Sequence, residues 1–193
     1  AYDELSEDQQ LIYEILERSL RDSLALSDYP LYAEVLGPTT GIQAQLPILL
    51  AEYGISDRGD IESYLALLDD VDDYFLQIVE YEKEKAQAGL FMTDDTADSI
   101  IAQCRAFIAD PEQNYLILCF EEKLESIPDL SQEERESFSE QNLEIVQNDI
   151  IGAYEHLASS LSELKGSSAG EGGLCRLEHG REYYSLLVRI RTG

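Results

Sequence analysis

Two adjacent tyrosines in a basic segment near the C-terminus are the residues of this sequence best suited to contact a substrate. Tyr183 and Tyr184 follow Gly180, with His179 and Arg181 beside them. A phenol or an imidazole can donate a hydrogen bond to a peptide carbonyl or a developing oxyanion, and a guanidinium can bind a carboxylate through two parallel N–H groups. Adjacent helical positions diverge by about 100°, so one tyrosine can pack in the core while the other presents its hydroxyl elsewhere. The alternative is two partly buried tyrosines that satisfy local hydrogen bonds.

Basic residues are concentrated at the C-terminus, because four of the 13 lie within the last 18 positions. These residues are Arg176, Arg181, Arg189 and Arg191. They either dock on the acidic body of the protein or face an anionic substrate group such as a peptide carboxylate.

The histidines and cysteines do not have the spacing of a metal site. His156 and His179 are the only imidazoles, and neither belongs to the H-E-x-x-H pattern of zinc peptidases. Cys104, Cys119 and Cys175 lack a C-x-x-C pair, so we interpret them as buried structural thiols. We therefore predict no catalytic residue, metal ligand or cofactor within this chain.

The charge of the chain excludes several classes of partner. Its 193 residues carry 40 acidic and 13 basic side chains, a formal net charge of −27. Nucleic acids and anionic membranes bind Lys and Arg, so we expect neither as a partner. No apolar run reaches the roughly 18 residues of a membrane-spanning helix. A cationic protein partner is compatible with the charge, which makes an acidic binding module the alternative function.

Apolar residues recur at helical spacing through most of the chain. The pattern predicts an all-α fold, an irregular multi-helix bundle in a single domain of residues 1–193. Ser6 opens an amphipathic helix to about Leu26, and prolines and glycines make residues 27–40 a loop. A capping box at Ser131 begins a long spine helix over about 131–164, followed by a flexible connection at 165–173.

Two segments are less regular. Pro47 lies inside a helical pattern, where it removes a backbone donor, so we expect a kink or a restart. Residues 115–120 are continuously apolar, which favours a buried helix and leaves a strand as the alternative.

At three groups of residues the chain resembles the bacterial family known as domain of unknown function 885. The resemblance covers almost the whole chain, which departs from the family pattern at Glu178-His179, where Pro-Asp is common, and at Gly152 and Met92-Thr93, where proline is frequent. The matching residues are Gly173-Leu174, Leu177, Gly180, Tyr183-Tyr184, Leu187 and Thr192, then Gly41, Gln43, Leu46-Pro47, Tyr64-Leu65 and Leu68, and finally Ala153-Tyr154 with Leu157.

The resemblance implies that the chain is a central part of a larger zinc-dependent peptidase, exported or anchored at the surface of a bacterium. The metal motif of the family lies downstream, so zinc is expected in the longer protein, together with a catalytic half and a peptide substrate. This chain would be inactive alone and would form one wall of the substrate cleft. Tyr183, Tyr184, His179 and Arg181 are expected to line that wall, with Gln43 behind them. A relative that has lost catalysis and only binds peptides is the further alternative.

Overall fold

The computed structural model of the chain describes residues 2–168 and 173–192, and within these ranges the regular structure is entirely helical. The all-α prediction is confirmed, and residues 115–120 are helical rather than extended. The chain folds into two compact units. The helices are α1 (Glu7–Leu26), α2 (Ile42–Ala51), α3 (Arg58–Asp69), α4 (Val71–Gln87), α5 (Asp94–Phe107), α6 (Tyr115–Glu125), α7 (Gln132–Ile145), α8 (Ile151–Leu164) and α9 (Gly180–Thr192).

We call the two parts the terminal unit, Ala1–Ala33 with Ala169–Gly193, and the central unit, Glu34–Ser168. The predicted single domain over residues 1–193 stays a prediction. Of the predicted flexible connection, residues 169–172 lie outside the described residues. Its first residues contact α5, because Lys165 Nζ lies 2.5 Å from Asp98 Oδ1 and the Gly166 amide donates to Asp94 Oδ1 at 2.9 Å.

The predicted spine helix is confirmed. Ser131 and Glu134 form a capping box, and the chain stays helical from Gln132 to Leu164 through one π-helical turn at Val146–Ile150. The α7 half packs against α3 and α6, and the α8 half packs against α4 and α5. One continuous element therefore organises the core of the central unit.

The proline and glycine loop is predicted correctly, and the residues around it are fixed by a close backbone approach. A Cβ on Gly41 would lie 2.1 Å from the Gly37 nitrogen, so only glycine fits. The Gln43 side chain closes the turn by donating to the Gly37 carbonyl at 2.7 Å and to Gln103 Oε1 at 2.9 Å. Gln103 in turn donates to the Pro38 carbonyl at 2.6 Å.

Helix α2 runs through Pro47 as a single element, so the predicted restart does not occur. Proline lacks the N–H that would bond the carbonyl four residues earlier, which belongs to Gln43. The buried Tyr154 hydroxyl donates to that carbonyl at 2.7 Å. Two groups of residues that carried the family resemblance thus meet at one hydrogen bond.

We expect Tyr154→Phe to lower the free energy of unfolding by about 1–3 kcal/mol, because it removes the donor to a buried carbonyl. Urea denaturation measures the change. In a Pro47→Ala background the new alanine N–H can bond the Gln43 carbonyl, so the cost of Tyr154→Phe should fall by at least half. Equal costs in both backgrounds would show that the tyrosine does not replace the missing helical bond.

A buried lysine on α4 forms ion pairs with two glutamates, one of which, Glu34, is the first residue of the central unit. Lys85 Nζ on α4 lies 2.9 Å from Glu34 Oε2 and 3.4 Å from Glu82 Oε1. The side chains of Lys85 and Glu82 are fully buried, and Glu82 Oε2 has no hydrogen-bond partner among the described residues. Burial raises the pKa of Glu82, and the nearby Lys85 ammonium partly opposes that rise.

Candidate functional site

The C-terminal residues predicted to contact substrate lie in the terminal unit, where a tight turn leads into α9. Leu174–Arg176 form a single 3₁₀ turn, and the Leu177 amide donates to the Leu174 carbonyl at 3.1 Å. The first residue of α9 packs directly on that carbonyl, since a Cβ on Gly180 would lie 1.6 Å from the Leu174 oxygen. Glycine at this position allows the turn and the helix to touch.

His179 precedes α9 in a left-handed backbone conformation, with φ of 56°. Histidine, asparagine and aspartate adopt this conformation more readily than most residues. The exposed imidazole Nδ1 lies 2.9 Å from Glu182 Oε2. His179 is therefore at the surface, between acidic side chains.

The two tyrosines of α9 diverge, as the helical spacing allows. Tyr183 is buried, with its ring centroid 5.5 Å from that of Tyr29 and 5.2 Å from that of Tyr32. The Tyr32 hydroxyl donates to the Glu178 carbonyl, and burial, followed by the charge of Glu178, raises the pKa of Tyr32. Tyr184 is 58% exposed. Tyr183 thus packs the unit together, and Tyr184 is the phenol available to a ligand.

Tyr184 and Arg181 line a common cavity of about 490 Å³. Among the described residues no carboxylate forms an ion pair with Arg181, whereas Arg189 is paired with Asp22 at 2.6 Å. The cavity thus offers a guanidinium and a phenol beside apolar surface, a combination suited to a carboxylate on a partly apolar ligand. The lining residues are Leu174, Cys175, Gly180, Arg181, Tyr184 and Ser185.

Four residues that line the cavity were not predicted as site residues from the sequence, namely Leu174, Cys175, Gly180 and Ser185. Ser185 lies four positions after Arg181 and therefore on the same face of α9, so helical spacing could have identified it. Leu174 is brought in by its contact with Gly180, which no spacing rule shows. Cys175 corrects an expectation, because it is exposed rather than buried, while Cys104 is buried and its pKa is raised by burial to about 12.

Gln43 lies in the central unit. It is buried, and its amide is hydrogen-bonded to the proline loop and to Gln103. Its predicted place behind the C-terminal residues stays a prediction.

The described residues do not form a zinc site. Within residues 2–168 and 173–192, no group of three or more His, Cys, Asp or Glu side chains is arranged to hold a metal ion. His156 is exposed on α8 in the central unit, and His179 lies in the terminal unit. In the same part of the chain, no helix is both long and apolar enough to cross a membrane.

Comparison with known proteins identifies a family and a fold. The sequence profile of a family described as "Bacterial protein of unknown function (DUF885)" matches residues 1–193. The fold is similar to the crystal structure of "the putative lipoprotein from Colwellia psychrerythraea", with a TM-score of 0.76 and 20% identity over 80% of this chain and 27% of that one. The chain spans about a quarter of that protein's length. No curated protein sequence matches the chain.

Proposed function

The chain belongs to the bacterial family of unknown function DUF885, and from this premise we propose that it is a non-catalytic helical part of a zinc-dependent peptidase. Its role is to supply one wall of the substrate cleft. The observation that carries the proposal is the cavity in which Arg181 and Tyr184 lie together. We place zinc and its ligands in a part of the longer protein outside this chain. That placement is compatible with the described residues, in which no group of three or more His, Cys, Asp or Glu side chains could hold a metal ion.

The cavity would hold a peptide by three contacts. Arg181 pairs with a substrate carboxylate, either the C-terminus or an acidic side chain, through its N–H groups. The Tyr184 hydroxyl donates to a backbone carbonyl, and Leu174 packs against an apolar side chain. Each contact orients the substrate, and none makes or breaks a bond.

The location of the protein is part of the proposal. The solved structure of similar fold is described as a "putative lipoprotein", and surface anchoring would place a peptidase where peptides enter the cell. We extend that location to this chain and propose an extracytoplasmic or surface-anchored protein.

The function is tested by comparing residues 1–193 with the natural protein that contains them. Elemental analysis should find about one zinc ion per chain in the longer protein only, as in peptidases with a single catalytic zinc. A peptide library should be cleaved by the longer protein and spared after chelation. A longer protein without zinc or hydrolysis would overturn the proposal and favour the acidic binding module.

Tyr184→Phe tests the site. In the longer protein we expect kcat/KM to fall about tenfold, the size of one lost hydrogen bond of about 1.4 kcal/mol, with the midpoint of thermal unfolding unchanged. Tyr74→Phe is the matched control, because Tyr74 is also an exposed helical tyrosine. Equal kinetics for the two variants would remove Tyr184 from the cleft.

A further inference from the structure

Helix α1 presents a continuous apolar surface, which we call the α1 stripe. Its residues recur three or four positions apart, with two adjacent pairs, so they wind along most of the helix. Each is between 55% and 70% exposed. The α1 stripe consists of Leu11, Ile12, Ile15, Leu16, Leu20 and Leu24.

The residue that α1 does bury is a carboxylate. Asp22 is the one buried residue of Glu7–Leu26, a helix that the structure describes in full. Its Oδ1 lies 2.6 Å from an Arg189 guanidinium nitrogen, and Arg18 Nε lies 3.9 Å from its other oxygen. Helix α1 is thus held to α9 by charged groups while its apolar residues face water. Contiguous apolar surface of this kind in a soluble protein marks an interaction site.

We propose that the α1 stripe binds an amphipathic helix from the part of the longer polypeptide outside residues 1–193. The inference rests on the proposed function only in that these residues belong to a longer protein. The solved structure of similar fold has about three quarters of its length outside the matched part, which supplies a source for the partner. The occupant would lay leucine-like side chains along the roughly 20 Å of helix between Leu11 and Leu24.

Charge disfavours the other occupants of an apolar helix face. A second copy would bring two chains of net charge −27 together, and their repulsion opposes association. An anionic membrane surface is repelled by the same charge. A segment of the same polypeptide avoids the entropic cost of bringing two molecules together, because its effective concentration is set by the connecting chain.

The partner helix has a predictable composition. Glu7, Asp8, Glu14 and Glu17 belong to the same helix as the α1 stripe, so basic residues flanking the apolar face of the partner would complement them. Arg21 already pairs with Glu17 at 2.8 Å, and the Tyr2 hydroxyl donates to Glu14, so Glu7 and Asp8 are the carboxylates for the partner.

The test replaces Leu16 and Leu20 together by glutamate, in residues 1–193 and in the longer natural protein. In residues 1–193 both side chains are exposed, so the chain should be monomeric by light scattering and its melting midpoint should move by no more than about 1 °C. In the longer protein the midpoint of the first unfolding transition should fall by about 3 °C or more, because the two charges become buried. Leu16→Met with Leu20→Met, which keeps the surface apolar, is the matched control and should leave both proteins unchanged.

Three results would overturn the inference. An equal fall in both proteins would mean that residues 1–193 cover the stripe themselves. An unchanged midpoint in both proteins would mean that nothing covers the α1 stripe. If residues 1–193 form a dimer and the two glutamates dissociate it, the occupant is a second copy of the chain. Zinc content separates this test from that of the function. If the longer protein contains zinc but its unfolding midpoint does not fall, only the proposal for the α1 stripe is contradicted. If it lacks zinc but its midpoint falls, only the proposed peptidase function is contradicted.

Discussion

Lys85→Met is expected to lower the free energy of unfolding by about 3–5 kcal/mol at pH 7, because it leaves the buried Glu82 carboxylate without its cation. Lys85 and Glu82 are both fully buried, 3.4 Å apart, and the second Glu82 oxygen has no partner among the described residues. Loss of the ammonium also releases Glu34, whose exposed carboxylate can be solvated at little cost. Nearly all of the loss should therefore come from Glu82.

The cost of Lys85→Met should depend on pH. Burial already raises the pKa of Glu82, and removal of the ammonium that opposes the rise moves it further in the same direction. The folded variant then binds a proton more tightly than the unfolded chain, so stability is lost as the pH rises from the unfolded pKa through the folded one. Urea denaturation at pH 5 should show a smaller loss than at pH 8.

Two controls isolate the buried pair. Lys85→Met combined with Glu82→Met removes both charges and should lie within about 1 kcal/mol of the unsubstituted protein, or above it. Lys83→Met breaks an exposed ion pair between Lys83 and Glu80, which are three positions apart on α4. This variant should change the free energy of unfolding by no more than about 0.5 kcal/mol. If Lys85→Met were as mild as Lys83→Met, the interior of the central unit would solvate Glu82 by other means.

Local signals predict much of this fold because its helices begin and end with side chains that act on their own backbone. Ser6 and Ser131 each form a capping box with the residue three positions later, and both helix starts are visible in the sequence. Of the kink or restart predicted at Pro47, the restart does not occur, and the reason is physical. Local sequence rules predict that Pro47 removes the helical hydrogen bond to the Gln43 carbonyl. They do not show that Tyr154, 111 residues from Gln43, supplies another donor to it.

The candidate site divides in the same way. Helical geometry predicted that Tyr183 and Tyr184 would diverge, and it places Arg181 on the face of Tyr184. The exposure of Cys175 and the contact of Leu174 with Gly180 depend on how a 3₁₀ turn meets the helix, which hydrophobic periodicity does not encode. Periodicity also identified α1 as amphipathic, but it does not show that the buried residue would be Asp22.

Gly180→Ala is expected to lower the stability of the terminal unit by about 3 kcal/mol, because the new methyl group cannot fit. Its Cβ would lie 1.6 Å from the Leu174 oxygen, 2.7 Å from the Leu174 carbonyl carbon and 3.3 Å from Leu177 Cβ. Two of these three atoms are backbone, so no side-chain rotation relieves the overlap. Either the 3₁₀ turn or the start of α9 must move.

Hydrogen exchange locates the loss. The amides of Gly180 and Tyr183, which donate to the Leu177 and His179 carbonyls at 3.0 Å, should exchange faster in the variant, while α8 amides keep their rates. Gly152→Ala is the matched control, because Gly152 sits inside α8 and its added Cβ would have no atom within 4 Å apart from its chain neighbours and the backbone of its own helix. Alanine there should stabilise the protein by up to about 1 kcal/mol.

The same substitution connects packing with the proposed function. Gly180 and Leu174 line the cavity of Arg181 and Tyr184, so separating the turn from α9 changes the shape of the cavity without removing either polar group. In the longer protein, Gly180→Ala should then raise KM while the zinc content stays constant, whereas Gly152→Ala should leave both unchanged. A Gly180→Ala protein with unfolding and kinetics like those of Gly152→Ala would mean that the turn and the helix do not touch in solution and that the cavity is not a formed site.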